Sequence, residues 1–289
     1  LPSGVANLVT ALDPEPVGQV FMTDKRIAKL TFTGSTDVGK MLARGAAAQM
    51  KRVSLELGGH APFIVCRDAD PVHAAKGLSL VKFLNTGQAC ISPNRIYVHS
   101  TMKEAFLKVL KEKVAQMTPG NGMMPGVKIG PLVNAAAIEK VDSQVKDAVD
   151  HGANLVMGGY RIMDKGLDKG YFYAPTILDH VTPQMRIYRE ETFGPVVPVI
   201  SYEDEDDLLR MANDTDYGLA AYVYTKAYSR AMKFFEGLDF GIIGINDINP
   251  TSAAAPFGGM KMSGIGREGS FEGIEEYLET KLGGFSLNT

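Results

Sequence analysis

Short apolar runs closed by glycine or proline alternate along this chain with longer segments whose apolar residues recur three to four positions apart. Lys29-Leu30-Thr31-Phe32 and Ala61-Pro62-Phe63-Ile64-Val65-Cys66 are of the first kind and predict buried strands, whereas Val38 to Gln49 and Met102 to Met117 predict helices. Such alternation predicts an α/β fold with largely parallel strands. Thr33-Gly34-Ser35-Thr36 falls between the first strand and the helix from Val38, where backbone N–H groups and the helix dipole can hold a phosphate. The acidic run Glu203-Asp204-Glu205-Asp206-Asp207 predicts a solvated helix N-terminus rather than a metal site. Near the C-terminus, Gly273 to Lys281 reads as a helix end that passes into an extended tail, Leu282 to Leu287.

Composition narrows the partners. With 45 % hydrophobic residues and a net charge of −3 (30 basic against 33 acidic), the 289 residues can bury a large core and carry no electrostatic footprint for nucleic acid or an anionic membrane. No run approaches the ~20 apolar residues of a membrane span, and the first residues lack the pattern of a signal peptide. Two cysteines far apart make no disulfide framework, and no metal-ligand spacing occurs, so a reducing, cytoplasmic setting is expected. The first residue is Leu1, as in a piece of a longer polypeptide.

Candidate chemistry concentrates in two places. Phe83-Leu84-Asn85-Thr86-Gly87-Gln88-Ala89-Cys90 sets a cysteine among small and polar residues, with Asn94 and Arg95 just beyond. A thiolate is the strongest ordinary side-chain nucleophile near neutral pH and needs polar backbone groups or a positive neighbour, which makes Cys90 the candidate nucleophile. Cys66, in an apolar strand-like run, is read as structural. Upstream, Ser54-Leu55-Glu56-Leu57-Gly58-Gly59 holds one carboxylate between leucines, and a carboxylate among apolar neighbours has its pKa raised and can act as a general base.

These segments, with Phe32-Thr33-Gly34-Ser35-Thr36, Glu191-Thr192-Phe193-Gly194-Pro195-Val196, Pro256-Phe257-Gly258-Gly259-Met260-Lys261 and Ser263-Gly264-Ile265-Gly266-Arg267-Glu268, resemble the aldehyde dehydrogenase superfamily in content and order. The resemblance implies an incomplete Rossmann-like NAD-binding domain (1–57), an α/β catalytic domain (58–258), and a return segment with a C-terminal oligomerisation strand (259–289). It implies NAD or NADP as cofactor, NAD favoured, a small aldehyde as substrate, and a homodimer or homotetramer at full length. In this reading Cys90 attacks the aldehyde and Glu56 activates the water that hydrolyses the thioester. Thr33 and Gly34 contact the nicotinamide end, Ser35 the pyrophosphate, and Leu57 acts through its carbonyl. Glu191 accepts from the nicotinamide ribose, with Phe193 packed beside it, and Leu84 and Phe257 line the substrate funnel.

The segment Arg267 to Glu279 looks most like the succinate-semialdehyde branch. Those enzymes commonly carry an arginine before the asparagine of the cysteine motif, where this chain has Leu84, which leaves a non-carboxylated or hydroxylated aldehyde as the rival substrate. A non-catalytic scaffold member of the family is the other alternative. The family's oxyanion asparagine and adenosine-ribose contacts belong to a part that the chain does not contain, so these residues alone are expected to be nearly inactive.

Overall fold

The computed structural model describes residues 2–164 and 166–286. From the N-terminus, α1 (Glu15–Thr23) precedes β1 (Lys29–Thr33), α2 (Thr36–Ala47) and β2 (Arg52–Glu56). Next come β3 (Ala61–Val65), α3 (Pro71–Lys82), β4 (Pro93–His99), α4 (Lys103–Val114) and α5 (Ala135–Asp150). The chain continues through β5 (Asn154–Met157), β6 (Thr176–Asp179), α6 (Arg186–Arg189), β7 (Val196–Tyr202) and α7 (Glu205–Asn213). It then forms β8 (Tyr217–Gly218), β9 (Ala220–Tyr224), α8 (Tyr228–Gly237), β10 (Ile242–Ile245), β11 (Met260–Lys261), β12 (Gly264–Ile265) and α9 (Ser270–Glu275).

Side-chain caps place the helix starts. Ser35, Asp70, Asn134 and Asp204 each accept an N–H from the first turn of α2, α3, α5 and α7, satisfying donors that have no partner inside the helix. Asp204 thereby gives the acidic run its structural role, and Glu205 and Asp206 of the same run pair with Arg230 and Lys233 of α8.

Seven strands form the larger sheet in the order β10-β9-β3-β4-β7-β6-β5, parallel except for the β5 edge. Because successive strand residues point to opposite faces, Phe63, Val65, Ile96 and Val98 pack toward α3 and α4, while Ile64, Tyr97 and Val223 pack toward α5, α7 and α8. The fully buried pattern of β3 and β9 is what a parallel strand covered on both faces requires. A smaller sheet, β1-β2-β12, pairs β1 with β2 in parallel and closes with the antiparallel β12, which brings Gly264 opposite Glu56.

At the C-terminal end the helix, α9, begins at Ser270, earlier than the sequence suggests, and residues 281–286 pair with no strand of this chain; Leu287 lies outside the described residues.

Candidate active site

Two sheet edges meet at the candidate site. Thr33 and Glu56 end β1 and β2, so the smaller sheet contributes its carboxyl edge, the usual ligand side of an α/β sheet. Gly58-Gly59, Cys90-Ile91-Ser92 and Gly194-Pro195 lead into β3, β4 and β7, so the larger sheet contributes its amino edge. The chain passes from one sheet to the other through Leu57 to His60. That crossing sets the candidate base and the candidate nucleophile at a single seam.

Glu56 is 4 % exposed, and its Oε2 has no hydrogen-bond partner among the described residues. Burial, followed by the neighbouring charge of Glu268, pushes its carboxyl from 4.5 up to about 8, with Arg267 pulling the other way. Its backbone carbonyl accepts the Gly34 N–H at 3.0 Å, which joins the base to the β1–α2 turn. Ser263 locks the crossing from behind: its hydroxyl donates to the Gly58 carbonyl at 2.7 Å, and its carbonyl accepts the Leu57 N–H at 2.9 Å.

Cys90 follows a strained loop. Asn85, Thr86 and Gly87 all lie in the left-handed region (φ 47°, 61° and 77°), a conformation that costs non-glycine residues of order 1–3 kcal/mol each unless the surroundings enforce it. The enforcement is visible. Thr86 Oγ1 donates to the Gly130 carbonyl (3.2 Å) and accepts the Gly130 N–H (3.0 Å). The Gln88 amide donates to the carbonyls of Asn85 and Pro131 and accepts the Val133 N–H. Gln88 therefore fastens the loop, where the sequence had suggested a polar setting for the thiolate.

Arg95 is likewise not a partner of the thiol. It is fully buried, and its guanidinium donates to the carbonyls of His60, Met211 and Ala212 and to the Tyr97 hydroxyl. Burial raises the Cys90 thiol pKa, the charges of Glu56 and Glu191 add to this, and the N–H groups of Cys90 and Ile91 act against it. Cys90 thus has the Glu56 carboxyl and two backbone N–H groups in its surroundings. Cys66, fully buried, has its thiol pushed up to about 12 by burial, as befits a structural residue.

Of the cofactor candidates, Ser35 and Glu191 line a neighbouring cleft of about 400 Å³, together with Thr36, Lys40, Lys140 and Tyr217. Thr33 and Gly34 are exposed just before it, where α2 begins. Glu191 accepts the Gly59 N–H at 2.9 Å, and burial raises its carboxyl pKa. Phe193 adopts φ 55° and stays 38 % exposed, an unusual combination for an aromatic residue, beside the Glu191 turn. The Leu57 side chain is buried and fills the space above Gly39 of α2. The cleft thus sets the N-terminus of α2, Lys40, Lys140 and Arg189 against the carboxyls of Asp37, Glu190, Glu191 and Asp216, and the helix N-terminus and cations are the groups that would meet a phosphate.

Leu84 is 54 % exposed at the start of the nucleophile loop, and Phe257 is half-buried on the same core layer as Cys90 and Ile91. Phe257 exchanges both backbone hydrogen bonds with Glu268 at 2.7 Å, which holds Glu268 toward the base. Glu268, Lys140, Tyr217, Ser263 and Lys82 were not singled out as site residues from sequence. Only Glu268 and Ser263 carry a signal in the sequence, since both lie in Ser263 to Glu268, one of the segments that carry the family resemblance.

An α/β chain with a buried carboxylate set against a loop-borne cysteine, next to a polar cleft at a helix N-terminus, has the outline of a thiol-dependent dehydrogenase. The chain belongs to the aldehyde dehydrogenase family, whose description matches residues 1–282. It is 46 % identical over 280 residues to a probable succinate-semialdehyde dehydrogenase [NADP(+)] of Sinorhizobium fredii, covering 97 % of this chain and 56 % of that protein. It is also 46 % identical to an aspartate-semialdehyde dehydrogenase (non-phosphorylating) of Halomonas elongata, with the same coverage. The crystal structure of succinate-semialdehyde dehydrogenase from Burkholderia pseudomallei superposes with a TM-score of 0.92 at 42 % identity, covering 96 % of this chain and 56 % of that one. The chain spans about half the length of the curated relatives it matches.

Proposed function

We propose that this chain is the catalytic portion of an enzyme that oxidises an aldehyde to a carboxylic acid with NAD or NADP through a thioester on Cys90. The observation that carries the reading is the buried, unpartnered carboxylate of Glu56 at the seam that also holds Cys90. In its ionised form Glu56 takes a proton from the water that hydrolyses the thioester, while the Cys90 thiol proton passes to solvent as the sulfur attacks. The Cys90 sulfur adds to the aldehyde carbon, and the N–H of Cys90 stabilises the oxyanion of the thiohemiacetal. A nicotinamide nucleotide, if bound in the neighbouring cleft, would supply the hydride acceptor needed to turn the Cys90 thiohemiacetal into a thioester. Water deprotonated by Glu56 adds to the thioester carbon, and collapse expels the Cys90 thiolate and releases the acid.

For the cofactor, Ser35 at the start of α2 would hold the pyrophosphate, Thr33, Gly34 and the Leu57 carbonyl the nicotinamide, and Glu191 the ribose hydroxyls, with Phe193 against the ring system. Leu84 and Phe257 are proposed as substrate neighbours. The domain assignment follows: residues 1–57 end the nucleotide-binding domain, 58–258 form the catalytic domain, and 259–289 return to complete it. Exposed Phe271, Leu278, Leu282 and Phe285 support burial of the tail against a second copy. A cytoplasmic setting rests on the two free cysteines.

Semialdehydes ending in a carboxylate, succinate semialdehyde first, are the proposed substrates, since relatives named for succinate, aspartate and glutarate semialdehydes share that end group. A less polar aldehyde is the second reading, favoured by the exposed Leu84. The test is NADH and NADPH formation by a full-length protein carrying this chain, with succinate semialdehyde against an uncharged aldehyde of equal length. Equal rates with both would remove the carboxylate from the reading, and no turnover of any aldehyde would remove the enzyme.

A further inference from the structure

Lys82 is a buried charge that the proposed reaction does not use. Lysine is almost never fully buried without a partner, because its ammonium loses water that the protein must replace. Here the side chain has 0 % exposure at the C-terminal end of α3, where the helix dipole favours a cation. Its Nζ donates to Asn94 Oδ1 at 3.2 Å, and the Asn94 amide in turn reaches the Gly59 carbonyl at 3.5 Å. The Gly59 N–H on the far side of that residue is the donor to Glu191 Oε1 at 2.9 Å.

The same residue touches the nucleophile loop at both ends. The Lys82 carbonyl accepts from Ser92 Oγ at 3.4 Å, just after Cys90. Before Cys90, Gly87 is wedged between the carbonyls of Lys82 and Gly194, so closely that a β-carbon there would strike both. A β-carbon on Gly59 would strike the Cys90 carbonyl oxygen. One short run of buried contacts therefore joins α3, both ends of the Cys90 loop, the Gly59 peptide and the Glu191 turn.

We propose that Lys82 is a positioning residue that, through Asn94 and the Gly59 peptide, holds Glu191 and the Cys90 loop in one fixed relation. Loss of its charge would release Glu191 from the geometry in which it meets the cofactor. Burial lowers the Lys82 pKa to about 7 while the Glu191 charge works in the opposite direction, which is the signature of two groups that sense each other. This inference rests on the proposal that Glu191 contacts the cofactor, and the test separates the two.

The experiment uses a full-length protein carrying this chain, with K82M, E191Q and the double variant. The cofactor dissociation constant is measured by quenching of protein fluorescence, and Cys90 reactivity by its rate of alkylation with iodoacetamide. E191Q should weaken cofactor binding by about tenfold, K82M by a similar factor, and the double variant by no more than E191Q alone, because the two act as one unit. K82M should also slow or speed Cys90 alkylation by severalfold, a change that a packing defect remote from the loop would not give. If E191Q binds cofactor normally, the assignment of Glu191 to the cofactor fails and the inference with it. If E191Q weakens binding but K82M does not, or if their effects multiply, the inference alone is overturned. Should K82M not fold, Asn94→Ala, which cuts the link between Lys82 and the Gly59 peptide, decides: it should weaken cofactor binding as E191Q does. Unchanged cofactor binding in that variant would overturn the inference.

Discussion

Replacing Glu56 with glutamine removes the proposed base while keeping the volume of the side chain. Holding this carboxyl at about 8 instead of 4.5 corresponds to about 4–5 kcal/mol against its ionised form, an upper figure because the cleft admits solvent. Two outcomes follow. In turnover, E56Q should still form the thioester, seen as a burst of about one reduced cofactor per site, while the steady-state rate falls on the order of a hundredfold or more. In the unaltered enzyme the hydrolysis-limited rate should climb as pH rises toward 8 and level off above it. Stability moves in the opposite sense: a carboxyl whose folded pKa is raised binds its proton more tightly when folded, so the stability it contributes is full below pH 4.5 and is lost as pH rises through about 8. E56Q should therefore melt several degrees above the unaltered protein at pH 9 and show no such advantage at pH 4. Steady-state turnover by E56Q near the unaltered rate, or a hydrolysis rate flat from pH 6 to 9, would refute the assignment of the base.

Other outcomes follow from the same geometry. An aromatic disulfide reagent should modify one thiol of the folded protein, Cys90, and two after unfolding in urea, since Cys66 is fully buried with its thiol pushed up to about 12; rapid reaction of both in the folded state would contradict that burial. Gly59→Ala should lower stability by about 2–3 kcal/mol in denaturant titration and slow Cys90 alkylation, because the new methyl group meets the Cys90 carbonyl oxygen. Thr86→Val removes both hydrogen bonds to Gly130 and should cost about 1–3 kcal/mol, with higher protease sensitivity at the loop as the check.

Local order was legible from the sequence wherever local rules decide it. The strand before Gly34 and the helix after Ser35 appear where alternation and capping place them, and the helix predicted from Met102 to Met117 is present as Lys103–Val114. Cys90 and Glu56 stood out because each is chemically out of place in its neighbourhood. What could not be read is long-range. Gln88 sits among small polar residues in the sequence, but two of its three side-chain partners, Pro131 and Val133, lie more than forty positions away, so only the fold reveals it as a fastener. Lys82 looks like the end of an amphipathic helix until β4 and the Gly59 turn close over it. The tail from Leu282 to residue 286 offers strand-like residues that pair with no strand among the described residues.

The pairing of β12 with β2 joins Gly264 to Glu56 across more than two hundred residues, and Lys29, Arg52 and Ser54 in that sheet meet Glu276, Leu278 and Glu279. During synthesis the segment bearing Glu56 emerges more than two hundred residues before its last strand and the Ser263 clamp. Closing so long a loop comes late on entropic grounds. A nascent chain can therefore fold the larger sheet and present Cys90 while the smaller sheet that carries Glu56 is still open, and that sheet closes only when Ser263 to Ile265 have followed.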